Sequence, residues 1–264
     1  MNKEELLKYA KDPKYISGIH NYCDRWCERC QFTSRCLNCT LVGEQFGDLQ
    51  KIDAFNEEFW QKFSKMLQGI FVMVKEMAKE EGIDVDSMDT ENSYDNEEII
   101  EENALTEIIS HISKKYLKSV DDWFGSKEYL FHEKEDEMTK IRLMSSRKNP
   151  AQEVVDINDA VEIIRWYQYQ IHVKLDRACK SAFEELMDRD DFSKDSDGSA
   201  KVALIGIDRS IAAWKVLLAC FPAQETGVVC LIELLENLEN RVEKRFPCAR
   251  DFVRPGFDEM EQDG

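Results

Sequence analysis

Apolar residues recur along most of this chain at three- and four-residue steps, the period of a helix with one buried face. In IDAFNEEFWQKFSKMLQGIFVMVKEMAKEEG (52–82) the positions are Phe55, Phe59, Phe63, Met66, Ile70, Met73 and Met77, and Gly82 ends the run. The pattern predicts an amphipathic helix there. A second helix is predicted over about 96–123, with Ile99, Ile100, Leu105, Ile108, Ile109 and Ile112 inward. Residues 124–150 are polar and mixed, and Asn149-Pro150 marks a break. A long helix is expected over 151–188, then DFSKDSDG, with Ser196 or Asp197 capping the next helix. That helix, 199–220, stops before Pro222, and a last one spans 223–245. A short helix is expected at 3–11. No stretch alternates clearly enough for a strand, and no proline stands between Pro13 and Pro150.

The expected architecture is mainly α: a bundle of four to five long helices with a Cys-rich N-terminal metal-binding segment. The segment occupies 1–45 and the bundle 46–250. An acidic linker lies at about 82–96, since residues 80–102 hold eleven acids and no base. Residues 251–264 are expected to form a flexible, frayed tail.

Charge narrows the partners. The chain of 264 residues carries a formal charge of −18, yet residues 1–45 hold seven Lys/Arg against six Asp/Glu. The remainder therefore carries the acidity. An acidic body repels a phosphate backbone, so nucleic acid is disfavoured and a basic protein surface is the better match. Arg25, Arg29 and Arg35 read as solvated loop charge. The opening MNKEELLKYAKDPK lacks the apolar core of a secretory signal. The longest apolar run, 202–221, contains Asp208, Arg209 and Lys215, which suits a buried core helix and no membrane span. A cytoplasmic location is expected, where thiols stay reduced.

HNYCDRWCERCQFTSRCLNC (20–39) holds five of the nine cysteines, as Cys23-x3-Cys27-x2-Cys30-x5-Cys36-x2-Cys39. Clustered thiols in a reducing compartment point to metal. Zinc takes two C-x2-C knuckles around one tetrahedral ion, usually separated by a dozen residues or more; here the gap is five. An iron–sulfur cluster spreads its irons, and compact gaps of two to five residues suit it better. A [4Fe-4S] cluster is therefore the expected cofactor, with zinc the alternative. Trp26 and Phe32 are expected to cover the site. Cys179, Cys220, Cys230 and Cys248 are scattered on apolar faces and read as core.

The loop C27ERCQFTSRC36 resembles the [4Fe-4S] loop of endonuclease III-type DNA glycosylases and of CRISPR-associated and recombination exonucleases. That resemblance covers about ten residues and implies Cys27, Cys30 and Cys36 as ligands. The glycosylase spacing would put a fourth ligand at His20. Cys23 or Cys39 are the nearer choices, and both stay open. No glycosylase or nuclease motif accompanies the loop, so DNA repair chemistry does not follow. The stretch YISGIHNYCDRWCERCQFTSRC also resembles the opening of a group of uncharacterised bacterial helical proteins, a likeness that implies no activity.

Within the long helix, Glu162, Arg165, Tyr169, His172 and Asp176 share one stripe, opposite Ile164, Tyr167, Ile171, Leu175 and Ala178. An acid, a base, a phenol and an imidazole are the ingredients of acid–base chemistry. A solvated face with Glu162–Arg165 and His172–Asp176 links is the plainer reading. Arg209 falls among small apolar neighbours and is expected to pair with Glu162 or Asp176, or to bind an anion. Arg209, Glu162 and His172 are thus the pocket candidates. The chain has no Glu-x-x-His for a di-iron site. DSDG (195–198) lacks the twelfth-position Glu of a calcium loop, where Leu204 stands. No phosphate loop, dinucleotide fingerprint or nucleophile elbow is present. Two functions remain: a redox or sensing cluster protein, or a stapled, non-catalytic interaction module.

Overall fold

A computed structural model describes residues 9, 11–46, 72, 75, 79, 97–144, 150–187 and 195–259. Five α-helices and no strand occur among them: α1 (Leu37–Phe46), α2 (Glu97–Met144), α3 (Pro150–Met187), α4 (Asp195–Cys220) and α5 (Glu225–Arg245). The helix expected over 52–82, most of that expected at 3–11 and the acidic linker lie outside the described residues. The chain divides into two compact units. One contains the described residues of Met1–Asn21, Arg25–Asp95 and Pro255–Gly264; the other contains those of Tyr22–Asp24 and Asn96–Arg254.

The second unit is a ring of four helices. α3 packs against α2 and α4, and α5 packs against α4 and α2. α2 runs to Met144, well past the expected end at 123. Residues 126–144 hold many Glu and Lys and no proline, so nothing stops a helix once it is nucleated. Pro150 opens α3 at its first position, where its missing N–H costs nothing. The apolar face foreseen for α3 is buried: Ile164, Tyr167, Ile171, Leu175 and Ala178 are at most 1% exposed.

α4 begins at Asp195, four residues before the expected start. Neither Ser196 nor Asp197 acts as an ordinary cap. Instead Glu185 of α3 accepts the Ser196 N–H (3.0 Å) and Oγ–H (2.8 Å). Asp195 takes a two-pronged bond from Arg177 (3.0 and 2.7 Å) and one from Ser181 Oγ (3.0 Å). Acids in this first turn also complement the helix dipole. Gly206 lets α4 approach α3 closely: a Cβ there would lie 2.9 Å from Tyr167 Cδ1.

The core of this unit is aromatic. Trp214 and Tyr116 are fully buried, and Trp214 Nε1–H donates to Tyr116 Oη at 3.1 Å. Burial pushes the Tyr116 phenol up to about 12, against the bond from Trp214, so it stays neutral. Trp123 meets Trp214 edge-on at 5.0 Å. No single helix among the described residues is long and apolar enough to cross a membrane.

The first unit is built of short pieces. A 3-10 turn at Cys27–Arg29, another at Thr33–Arg35 and then α1 follow in succession. α1 stands where no helix was expected. Ile16 N–H donates to Arg35 O at 3.0 Å. The tail packs within this unit: Phe257 meets Phe32 edge-on at 5.0 Å, and Gly256 has a φ of 75° that places it against Ile16. These tail residues are anchored by apolar contact rather than frayed.

Candidate functional site

The cysteine segment is assembled by local turns. Cys27 and Cys30 bracket the first 3-10 turn, with Cys30 N–H donating to Cys27 O at 3.2 Å. Cys36 directly precedes α1 and Cys39 lies in its first turn, so the C-x2-C pair straddles a helix start. Thr40 N–H closes that turn on Cys36 O at 3.1 Å. All five thiols belong to half-exposed residues, and none forms a disulfide.

Within the first unit three of these cysteines sense one another. Burial pushes the Cys39 thiol above its ordinary value, and the charge of Cys36 adds to this; a hydrogen bond with Cys27 opposes both. Cys30 Sγ accepts the Phe32 N–H at 3.4 Å. An N–H bond of this kind stabilises negative charge on sulfur, which is what a metal-bound thiolate carries. Among the described residues no three His, Cys, Asp or Glu side chains are placed so that together they could hold a metal ion. The donor set itself, soft thiolates in a short segment, fits zinc or an iron–sulfur cluster and no hard cation.

Residues 22–24, Cys23 among them, belong to the helical unit. There the Tyr22 ring fills the space beside Gly198, where any Cβ would overlap it, and meets Phe252 at a tilt of 58°, with 4.7 Å between ring centres. Burial, then a hydrogen bond to Asp195, pushes the Tyr22 phenol up to about 12. Asp24 Oδ2 accepts Tyr167 Oη–H at 2.5 Å and Arg209 Nη1–H at 3.0 Å, while its backbone oxygen accepts Trp166 Nε1–H at 3.0 Å. Arg209 also donates to the Tyr167 hydroxyl. Burial and the neighbouring Asp24 raise the Tyr167 phenol, so it remains a donor.

The pocket candidates have separate surroundings. Arg209 pairs with Asp24 rather than with Glu162 or Asp176, and its side chain is 54% exposed. His172 shares a 2.9 Å hydrogen bond with Ser113 Oγ; burial and the charge of Lys114 lower its basicity, against Asp176. Glu162 is exposed and lies ten residues from His172, about 15 Å along the helix axis. Arg165 pairs with Asp121 at 2.8 Å rather than with Glu162, and Asp176 with Lys180 at 2.7 Å. The stripe of α3 is a solvated face. Trp26 lies beneath the Arg29 guanidinium, 4.1 Å from its ring centre, and Phe32 packs on Phe257. Of the scattered cysteines only Cys179 is buried; Cys220 is half-buried, and Cys230 and Cys248 are exposed.

Sequence reasoning missed Asp24 and Arg250. Arg250 donates to Asp208 (2.6 Å), Glu239 (2.6 Å) and Glu243 (2.8 Å), tying α4 to α5. Asp24 has partners 142 to 185 residues away, and Arg250 reaches Asp208 42 residues back, so no local pattern marks either residue. No protein-family model matches this chain, and neither a curated protein nor a solved structure matches it.

Proposed function

We propose that this is a cytoplasmic metal-binding helical protein whose cysteine segment holds a [4Fe-4S] cluster in a redox or sensing role. Cys27, Cys30 and Cys36 would hold the cluster, with Cys39 as the fourth ligand. The observation that carries this reading is the grouping of Cys39 with Cys27 and Cys36 in one unit, beside a Cys30 sulfur that accepts a backbone N–H. The compact gaps of two and five residues support iron–sulfur over zinc. The cluster would supply one-electron chemistry, tuned by sulfur hydrogen bonds and solvent exposure. The protein's own residues supply thiolates, the Phe32 N–H and the Phe32–Phe257 apolar contact.

A second reading is a zinc-stapled, non-catalytic interaction module. It is favoured by the two C-x2-C pairs, each set on a tight helical turn as in a zinc knuckle. In either case the acidic surface suits a basic protein partner.

Anaerobic purification with a visible spectrum and elemental analysis separates the two. About four irons per chain and a brown colour are expected. One zinc in a colourless protein would establish the staple, and absence of both metals would overturn both readings. Cys39→Ala is expected to empty the site and Cys23→Ala to leave it loaded. The reverse result would move the fourth ligand to Cys23 without touching the metal assignment.

A further inference from the structure

A groove of about 380 Å³ lies between α2 and α5. Its volume falls within the range of small-molecule sites. The buried residues Trp123 and Leu231 form the floor, with half-buried Leu234 beside them. Gly227 keeps the groove open. A Cβ at that position would stand 3.4 Å from Trp123 Cδ1 and Nε1, so any larger side chain would cover the edge of the indole. Glycine is a poor helix former, and here its missing side chain leaves the Trp123 ring as part of the groove lining.

The rim has a polarity. Lys115, Ser119, Asp122 and Ser126 follow one another at steps of four, three and four along α2. Such steps line one face of a helix. Lys115 and Asp122 are both exposed, and neither forms an ion pair among the described residues. They are seven residues apart, about 10 Å of helix rise. A cation and an anion at that separation, with hydroxyls and an apolar floor between, match a molecule carrying opposite charges at its two ends and an apolar middle.

We propose that the groove binds a short unblocked peptide of about three residues, which when extended spans about 10 Å. Its terminal carboxylate meets Lys115 and its terminal ammonium meets Asp122. An apolar central side chain rests on Trp123, Leu231 and Leu234. Ser119 faces the peptide groups. This site is independent of the metal: it uses no residue of the cysteine segment, and it stands or falls separately.

Cys230 supplies the assay. Its exposed thiol lines the groove, whereas the exposed Cys248 does not. The full-length protein is alkylated with iodoacetamide, with and without the peptide Ala-Leu-Ala, and each cysteine is followed by peptide mass mapping. Millimolar Ala-Leu-Ala is expected to slow alkylation of Cys230 severalfold and to leave Cys248 unchanged. Acetylated and amidated Ala-Leu-Ala, which lacks both end charges, is expected not to protect. Lys115→Met and Asp122→Asn are each expected to weaken the affinity about tenfold, the size of one lost charge-assisted hydrogen bond. Both residues are exposed, so the fold survives the change. Gly227→Val is expected to abolish protection by covering Trp123. No protection at millimolar peptide, equal protection of Cys248, or equal protection by the blocked peptide would each overturn the proposal.

Discussion

Asp24 shows how one carboxylate can organise distant parts of a chain. It accepts from Tyr167 and Arg209, 143 and 185 residues away, and its backbone oxygen takes Trp166 as well. The Tyr167 side chain is buried, so replacing its charged acceptor with a neutral one weakens a bond that water cannot readily replace. Asp24→Asn removes the charge while keeping the shape. It is expected to lower the unfolding free energy by roughly 1–3 kcal/mol, read from the urea midpoint at an unchanged slope. A variant as stable as the parent would show the contact to be a surface pair of no consequence. None of this is visible in the sequence. Arg209 does stand out there as a charge on a small-residue face, but its partner is fixed by tertiary packing, and the nearest acids on a helical wheel were not the ones it meets. Cysteine identity misled in a similar way. The residue type favours burial, yet Cys230 is exposed on the outer face of α5 and Cys248 is exposed in the turn that follows it.

The helices were the most legible feature, because their apolar period is long and uninterrupted. α3 and α5 begin and end within about two residues of their expected bounds, and Pro150 and Pro222 mark the starts. α2 overran its expected end because the apolar stripe fades after residue 123 while good helix formers continue. α1 was missed, since its ten residues carry only a weak amphipathic pattern. The start of α4 was missed for another reason. It is stabilised by α3 through Glu185, Arg177 and Ser181, which lie ten or more residues back along the chain. That arrangement sets a pH dependence. Burial alone would raise the Asp195 carboxyl, but bonds from Arg177, Tyr22 and Ser181 outweigh it and hold the group below the usual carboxylate range. Its contribution is complete above the unfolded value of about 3.9 and is lost as pH falls toward the lowered folded value. Tyr22 works in the opposite direction. Its folded value of about 12 makes its contribution complete below the unfolded value near 10 and lost as pH rises through 12. Thermal melts across pH should therefore show that Asp195→Asn flattens the acid limb of the stability curve. An unchanged acid limb would show that the Arg177–Asp195 pair contributes nothing there.

The chain as a whole carries a charge of −18, and α2 to α5 hold most of the described acids. Mutual repulsion among them opposes compaction, and salt screens it with a length of about 10 Å at 0.1 M. Raising sodium chloride from about 0.01 to 0.3 M is expected to increase the melting temperature by several degrees, then plateau. A fall would mean that favourable ion pairs such as those of Arg250 outweigh the repulsion. The mainly helical class followed directly from composition and period. The division of the chain did not, because composition changes near residue 45 while the packing does not follow that border. Residues 22–24 sit with the helices, and 255–259 with the cysteine segment.

That crossing of borders matters for anyone who would trim or transplant the helices. A fragment begun at residue 46 would carry α2 to α5 without Tyr22 and Asp24. Gly198 would then face a vacant slot one aromatic ring wide, and Trp166, Tyr167 and Arg209 would be left aiming donors at water. Such a fragment resembles a lock shipped without its bolt. A tripeptide's worth of chain, Tyr22-Cys23-Asp24, would need to travel with the helices as a graft or be returned through a permuted terminus.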